Sequence, residues 1–435
     1  MTRTETQTVT RTTHIRGVLT TRGRAFVATG LTLLAGGLLL GFTDITRIGV
    51  LVSALPLLAD MSARRYRRDS NKVVVTRTVY PARLLVNQTA SVAVVLQNTS
   101  SRRIHLQLAE DRVHDLLGSR PRFVLPAMEP GDIREVNYQI RTQIRGRYRL
   151  GPLTLRRQDP YGLAGTTTTL PGATGILVLP HIEILGRGSP RASGIGAEGA
   201  VRRIVALHGE DDVAVRSYHD GDDLRRIHWP TTAHRSELMV RQEDHPTRRH
   251  ALIVLDSREA GHQGSGTTGS FEWAVTAAAS IAAHLSEHHY TLHLASSETT
   301  TEGQATQTVE IDDALASLAM ARLGASQQLD EVLRWAHPLT STGCLVIAIV
   351  TDHDEAVLQR TAALRQPGGT GLLFLLDTAS FARPQPEAPT GQALALAGMV
   401  TAAGWSTCVV GSGTTVAQAW RTISALSAVM VGTGR

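Results

Sequence analysis

The sequence predicts a multidomain protein with an N-terminal transmembrane helical hairpin, a β-sandwich module and a doubly wound α/β domain. Three features of the sequence lead to this prediction. Two apolar runs follow an arginine-rich start, short β-branched runs fill the middle, and apolar strands alternate with helical segments after residue 250. At roughly 100–200 residues per domain, a chain of 435 residues is long enough for two or three domains.

The predicted hairpin covers residues 25–62. The run 25–42 carries no charge, and at about 1.5 Å per residue it just spans a bilayer core. The run 48–59 is short for a span by itself. Arginines lie before the first run and after the second, at Arg16, Arg22, Arg24, Arg64, Arg65, Arg67 and Arg68. A hairpin places both groups in the cytoplasm, as the positive-inside rule favours.

This topology predicts a basic cytoplasmic tail at 1–24, an inner (plasma) membrane location and cytoplasmic soluble domains. A signal peptide is the alternative interpretation of the first run, although no clear small-x-small cleavage site precedes Thr43. Gly37 and Gly41 form a GxxxG pattern that would let the two helices pack closely. The arginines beside the membrane also make lipid head groups an expected partner.

Residues 72–182 predict a β-sandwich module. Runs such as "KVVVTRTVYP" and "ASVAVVLQN" are rich in β-branched residues, and several alternate apolar with polar positions. Turn sequences such as "NTSS", "EPGD" and "DPYG" separate them. Residues 246–435 show a different pattern, in which continuous apolar strands such as "ALIVLDS" and "CLVIAIVTD" alternate with helical segments. This alternation predicts a largely parallel, doubly wound sheet.

Composition excludes several classes of function. Lys72 is the sole lysine, so no Walker A loop exists, and a P-loop ATPase or a protein kinase is not expected. Cys344 and Cys408 lie in apolar runs without CxxC spacing, and we expect two buried free thiols. The net charge of +6 arises largely beside the membrane, and aromatic residues make up 4% of the chain, so we expect no nucleic-acid partner.

Two strand ends of the predicted parallel sheet carry acids, Asp256 with Ser257 and Asp352 after Thr351. This arrangement resembles the von Willebrand factor type A domain, in which an Asp-x-Ser-x-Ser loop, a threonine and a second aspartate ligate magnesium. Asp256 and Asp352 match that pattern, but Arg258 and Ala260 stand at the two serine positions. We therefore expect a degenerate adhesion-type site without metal or cofactor, in which Arg258 reaches Asp256 or Asp352 and replaces the charge of the ion.

The segment 195–245 contains "RSYHDGDDLRRIHWPTTAHRSELMVRQ", which is rich in arginine, aspartate and histidine. It resembles the signature of the domain-of-unknown-function 58 family of bacterial membrane-attached proteins. The matching positions are Arg216, Tyr218, Gly221, Asp222, Arg225, Ile227, Trp229, Ala233 and Leu238, whereas His234 departs from the usual arginine. Upstream, "RGRYRLGPLTLRRQDPYGLAG" resembles a second step of the family pattern.

The resemblance implies a membrane-attached protein with a type A-like region, often encoded beside MoxR-class AAA-type ATPases and transglutaminase-like proteins. We expect a non-catalytic scaffold or adaptor, with the 216–242 segment as a structural joint. Its expected partners are such an ATPase and other membrane or envelope proteins. One alternative is a metal-dependent hydrolase using Asp222 and the nearby histidines His219, His228 and His234, although no HExxH or HxH spacing supports it. The other alternative is an envelope-facing adhesion or cell-wall module, which requires the opposite topology.

Overall fold

The computed structural model divides the chain into two compact units, Met1–Leu179 and Pro180–Arg435, so the protein is multidomain. The residues that it describes are 14–70, 73–159, 161–186, 214–217, 232–233, 237–242, 249–301, 307–325, 327–340, 344–367, 369–383 and 388–432.

The N-terminal unit combines two long helices with β-sheets. Its elements are β1 (His14–Leu19), α1 (Thr21–Leu40), α2 (Thr43–Ser70), β2 (Val73–Tyr80), β3 (Arg83–Leu85), β4 (Thr89–Asn98), β5 (Gln107–Asp111), β6 (Arg122–Leu125), β7 (Ile133–Arg141), β8 (Gly146–Leu150), β9 (Leu153–Gln158), β10 (Ala164–Leu170) and β11 (Thr174–Leu179). The strands form three sheets, with the orders β1-β10-β9-β5-β6, β2-β4-β7 and β3-β11-β8.

Alternating burial explains why these segments are strands. In β4, every second residue from Ala90 to Leu96 is buried, so a period of two directs the apolar side chains to one face. These side chains join buried residues of other sheets, such as Leu125, Leu153 and Ile176. The sheets of this unit therefore share one apolar core.

Strand β1 lies within residues 1–24, which the sequence analysis assigns to a basic tail. It pairs antiparallel with β10, with Leu19 opposite Ala164 and His14 opposite Thr169. The segment lacks the regular alternation of apolar residues that reveals a strand, and its pairing partner lies far away in the sequence. An edge strand of the β-rich unit therefore precedes α1 directly.

Helices α1 and α2 contact each other through glycines. Gly30 and Gly37, seven residues apart, are buried in α1. A Cβ atom on Gly30 would collide with Ser53, and one on Gly37 would lie 2.6 Å from the backbone nitrogen of Thr46. The other half of the predicted GxxxG pair, Gly41, instead ends α1 in the left-handed conformation, at φ 73°.

One described helix, Thr21–Leu40, is long and apolar enough to cross a membrane, judged by length and composition. Helix α2 continues through Ser70, beyond the predicted end of the hairpin. Both helices expose large apolar side chains, namely Phe26, Leu31, Leu38, Leu39 and Leu40 on α1 and Ile48, Leu51, Leu55, Leu57 and Leu58 on α2. An N-terminal apolar helix of this kind suits a membrane anchor or a signal sequence.

A buried ion pair links two sheets of the N-terminal unit. Arg77 on β2 donates from Nε and Nη2 to both carboxylate oxygens of Asp111 on β5, at 2.9 and 2.7 Å. The hydroxyl of Tyr138 on β7 donates to the same carboxylate at 2.8 Å. Burial, and then the charge of Asp111, raises the pKa of Tyr138 far above its ordinary value, so this hydroxyl remains a donor. Gly151, at φ 96°, lies against the pair, because its Cβ would approach Arg77 Nη1 to 2.9 Å.

The C-terminal unit contains a parallel sheet with helices. Its elements are β12 (Ala214–Ser217), β13 (Met239–Gln242), β14 (His250–Leu255), α3 (Ser270–Glu287), β15 (Thr291–Ala295), α4 (Ser297–Thr301), α5 (Ile311–Met320), α6 (Gln327–Thr340), β16 (Leu345–Thr351), α7 (Glu355–Ala362), β17 (Gly371–Leu376), α8 (Thr378–Phe381), α9 (Gly391–Ala402), β18 (Ser406–Val410) and α10 (Val416–Gly432).

The parallel sheet has the order β15-β14-β16-β17-β18, and each of its pairings is parallel. In chain order this is 2-1-3-4-5, the doubly wound order of flavodoxin-like folds. This sheet fits the α/β domain predicted from the alternation of apolar strands and helices. Strands β12 and β13 form a separate antiparallel pair.

The three central strands of the parallel sheet, β14, β16 and β17, are buried on both faces, as their continuous apolar runs predict. Every residue of β17 is buried. The indole of Trp405 is fully buried and donates from Nε1 to the carbonyl of Ala362 at 3.0 Å. Cys344 and Cys408 are free and buried, and burial raises their pKa values to about 12 and about 11.

We predict that Asp111→Asn destabilises the protein by about 3–5 kcal/mol, because it leaves the buried Arg77 guanidinium without its counter-charge. Asp115→Asn is the matched control, since Asp115 pairs with Arg120 at the surface, at 3.6 Å. Denaturant unfolding of both variants measures the difference. Equal stability of the two variants would contradict a structural role for the buried pair.

Candidate functional site

The carboxyl edge of the parallel sheet collects acidic and hydroxyl side chains. Asp256 follows β14, Thr351 ends β16, and Asp377 follows β17. Strand β15 lies on one side of β14 and β16 on the other, so the edge between β14 and β16 is the switch point of the sheet. Doubly wound sheets bind their ligands in the crevice at this point. The side chains that occupy this crevice therefore decide what the site can do.

Arg258 occupies the crevice through a two-pronged ion pair with Asp256. Its Nε and Nη2 atoms donate to the two carboxylate oxygens at 2.9 and 2.8 Å. The backbone nitrogen of Arg258 and the hydroxyl of Thr351 donate to the same carboxylate at 3.1 and 3.0 Å. Arg258 is 4% exposed and Asp256 is fully buried, so the pair is shielded from water.

The electrostatics of this pair keep both groups charged. Burial by itself would raise the pKa of Asp256, but hydrogen bonds from Arg258 and its charge outweigh burial and hold that pKa below its ordinary value. For Arg258, burial would lower the pKa, but hydrogen bonding to Asp256 and the charges of Asp256 and Asp354 raise it. The site therefore contains a fixed cation beside a fixed anion.

The other residues of the predicted degenerate metal site have separate partners. The Ser257 hydroxyl donates to Ser297 Oγ at 3.0 Å. Asp352 Oδ1 accepts from the backbone nitrogen and the hydroxyl of Thr378, at 3.1 and 2.7 Å, at the start of α8. The carboxylates that Arg258 contacts are Asp256 and, at 3.6 Å, Asp354. The alternative contact with Asp352 is therefore not the one formed.

Asp377, the acid that follows the next strand, also has internal partners. Its carboxylate accepts from the backbone nitrogen of Thr390 at 2.9 Å and from the Thr390 hydroxyl at 3.3 Å. Thr390 in turn caps α9 by accepting from the backbone nitrogen of Ala393 at 3.2 Å. The acids at this edge thus position the loops and helix starts that follow the strands.

His262 is a further member of the site that the sequence analysis did not identify. Its Nε2 donates to the backbone carbonyl of Asp256 at 3.0 Å, and its Nδ1 lies 2.9 Å from Ser270 Oγ. A carbonyl can only accept, so neutral His262 carries its proton on Nε2, and its unprotonated Nδ1 faces the Ser270 hydroxyl. Burial lowers the pKa of His262 below 6.5. The signal in the sequence is the position of His262 in the loop after β14. Histidine spacing alone does not predict its contacts with Asp256 and Ser270.

Most of the signature residues lie outside the described part of the chain. This holds for Tyr218, Gly221, Asp222, Arg225, Ile227 and Trp229, and for His219, His228 and His234 of the hydrolase alternative. Arg216 lies in β12 opposite Val240 of β13. Ala233 and Leu238 are exposed.

The geometry of the crevice fits a structural ion pair better than an ion site. Magnesium requires about six oxygen ligands in octahedral geometry. Both oxygens of Asp256 already accept hydrogen bonds, and Arg258 places a cation on the same carboxylate. A metal ion at Asp256 would therefore have to displace a guanidinium that the fold holds in place.

We predict that Arg258→Ala destabilises the protein by about 3–5 kcal/mol, because Asp256 stays buried without a counter-charge. Arg334→Ala is the control, since Arg334 pairs with Glu331 at the surface. In denaturant unfolding, Asp256→Asn should recover part of the loss when it is combined with Arg258→Ala. Additive losses in the double variant would show that the two side chains do not act as a pair.

We also predict that protonation of His262 lowers stability in mild acid. The unfolded histidine titrates near 6.5, whereas the folded one has a lower pKa, so below about pH 6.5 the unfolded chain binds the extra proton. Stability is therefore full above that pH and falls as the pH falls. Burial lowers the pKa of His284 as well, and its contribution has the same sign.

His262→Gln should flatten the fall in Tm between about pH 7 and about pH 5, because glutamine does not titrate there. His353→Gln is the control, since His353 is exposed on the same edge. Thermal melts across this range measure the slope. An unchanged slope in His262→Gln would contradict the assignment.

Comparisons with known structures give distant likenesses with low TM-scores. The CARDB domain of a Pyrococcus furiosus protein, in complex with two metal ions, is 13% identical, with a TM-score of 0.17 over 24% of this chain and 93% of that domain. The DNA glycosylase AlkC of Pseudomonas fluorescens is 14% identical, with a TM-score of 0.17 over 31% of this chain and 38% of its own length. TM-scores this low do not establish a common fold.

A third likeness is to the sporulation control protein Spo0M of Bacillus subtilis, with 11% identity and a TM-score of 0.14 over 34% of this chain and 58% of Spo0M. Among curated proteins, none matches the chain. A family model described as a protein of unknown function, DUF58, matches residues 214–306. This stretch includes residues 216–242 with the quoted signature, strand β14 and the Asp256–Arg258 pair. The match shows that this stretch of the chain, well under half of its length, is similar to the DUF58 family.

Proposed function

We propose that this protein is a membrane-tethered, non-catalytic scaffold whose C-terminal α/β unit, resembling a von Willebrand type A domain, binds protein partners. The observation that carries this proposal is the Arg258–Asp256 ion pair at the switch point of the sheet. A catalytic or metal-binding crevice would present open ligand groups there, whereas here a buried cation fills the position. A crevice whose acidic group is already paired with a buried arginine favours protein binding over catalysis.

Exposed leucines support the membrane tether. Leu38, Leu39 and Leu40 are 67%, 86% and 68% exposed in α1, and Leu51 and Leu58 are 65% and 61% exposed in α2. Large contiguous apolar patches are rare on soluble surfaces, whereas lipid chains cover them without cost. The glycine contacts would bring the two helix backbones together inside the membrane.

Strand connectivity supports a hairpin over a single span. β1 precedes α1 and pairs with β10, and β2 follows α2 and pairs with β4, within the same compact unit. A chain that leaves a soluble unit and returns to it must cross the bilayer an even number of times. The arginines at both ends of the hairpin then favour the cytoplasm for that unit. A MoxR-class AAA-type ATPase is the candidate partner, since it accompanies the family that this chain resembles.

We predict that a photo-crosslinking residue at His353 captures a MoxR-class AAA-type ATPase, because His353 is exposed at the carboxyl edge. The control carries the same residue at Leu394, which is 54% exposed on α9. The full chain in membranes is irradiated with ADP or a non-hydrolysable ATP analogue, and the yields of the adduct are compared. Capture that is absent, or equal at both positions, would contradict the proposed docking edge.

A topology reporter distinguishes the envelope-facing alternative. A fluorescent protein fused after Arg435 should be bright, and alkaline phosphatase at the same position should be inactive, if the C-terminal unit is cytoplasmic. The opposite result would favour an envelope module.

Magnesium bound stoichiometrically at Asp256 would refute the ion-free site.

A further inference from the structure

The loop between β9 and β10 packs against the first turn of α1. The backbone nitrogen of Thr20 donates to the carbonyl of Leu163 at 2.9 Å, and the Thr20 hydroxyl donates to the carbonyl of Gly162. A Cβ on Gly23 would collide with the same Leu163 carbonyl. The loop and the start of the helix therefore form one contact, and glycine is required where they meet.

Asp159 gives this loop a defined shape. Its carboxylate accepts from the backbone nitrogens of Tyr161 and Ala164, at 3.1 and 2.6 Å. Its carbonyl accepts from the backbone nitrogen of Gly162 at 2.9 Å, and Gly162 adopts the left-handed conformation, at φ 69°. These hydrogen bonds fix the backbone of the turn at Tyr161 and Gly162, and the side chain of Tyr161 is exposed on the surface.

Tyr161 is 75% exposed, although its ring is large and partly apolar. Arg22 lies near the next residue of the loop, since a Cβ on Gly162 would lie 4.0 Å from Arg22 Nη1. Tyrosine is enriched at the boundary between lipid and water, and arginine near the membrane surface attracts anionic lipid. The two side chains thus have the chemistry of a head-group contact.

The position of the loop along the helix axis agrees with this chemistry. The helix begins at Thr21 and its apolar run begins at Ala25, about 6 Å further along at about 1.5 Å per residue. A bilayer of about 40–45 Å with a core of about 30 Å has a head-group layer of about 5–8 Å on each side. A loop in contact with Thr20 and Gly23 lies within that layer when α1 spans the membrane.

We propose that residues 161–163 form a second membrane contact, in which Tyr161 lies among the head groups of an anionic leaflet and Arg22 binds lipid phosphate. This inference rests on the proposed membrane insertion of α1. It gives the β-rich unit a fixed orientation on the membrane, because β1 and the loop attach the same sheet to the helix start at two points.

Spin labels on introduced cysteines test this contact in the full chain, reconstituted in vesicles of phosphatidylethanolamine and phosphatidylglycerol. The native Cys344 and Cys408 are buried with raised pKa values, so a thiol reagent at neutral pH favours the introduced site. The variants are Tyr161→Cys, Leu39→Cys within α1, and Leu116→Cys. Leu116 is 46% exposed and follows the end of β5 opposite to the loop in the same sheet.

The collision rate of each spin label with a water-soluble nickel chelate reports how deeply the label lies in the bilayer. We expect full collision at Leu116, loss of nearly all collision at Leu39, and an intermediate value at Tyr161. A label at Leu39 that collides freely would refute the membrane anchor itself. If Leu39 is protected while Tyr161 matches Leu116, the anchor remains and the loop contact is overturned.

Lipid charge provides the second measurement. Arg22→Gln, or replacement of phosphatidylglycerol by phosphatidylcholine, should shift the label at position 161 toward water. Arg120→Gln is the control, since Arg120 pairs with Asp115 at the surface, in the segment that follows the end of β5. An unchanged depth in Arg22→Gln and in neutral lipid would overturn the assignment to anionic head groups.

Discussion

The ion pair between Arg258 and Asp256 is the constraint that determines the character of the α/β unit. Asp256 lies at the carboxyl end of β14, at the switch point between the two winding directions of the sheet. A carboxylate in this position, fully buried, requires a counter-charge. The chain supplies that charge from two residues further along, and the backbone nitrogen of Arg258 and Thr351 complete the hydrogen bonds. The loop after β14 is thereby fixed to the end of β16.

The N-terminal unit contains a second pair of the same kind. Arg77 and Asp111 form a two-pronged contact across two sheets, with Tyr138 as an additional donor. Replacing a buried ion pair by apolar residues is often neutral or stabilising, so net stability is a weak explanation for either pair. The directional geometry of the pairs is a better explanation. Each two-pronged contact forms only when the two segments that carry the arginine and the aspartate have one particular relative position.

The sequence predicts the broad fold and part of the site, because periodicity is a local property. The alternation of apolar strands and helices after residue 250 is sufficient to expect a parallel sheet, and the serine position occupied by Arg258 is sufficient to expect an altered metal site. The pairing of β1 with β10 could not be predicted, because it joins distant segments. The contact of Asp352 with Thr378 depends on α8, which is too short to show a helical pattern. The contacts of His262 with Asp256 and Ser270 likewise depend on how the loop folds back.

A covalently attached cation also changes how the crevice can be regulated. An ion site can be emptied or refilled as the metal concentration changes, whereas Arg258 cannot leave, and its pKa is raised above an already high value. The charges of the Arg258–Asp256 pair are therefore constant across physiological pH and ionic composition. Under the proposed scaffold function, no metal at this edge would control docking. A change of state would have to come from the partner, and a nucleotide-driven ATPase is the kind of partner that can supply the free energy for it.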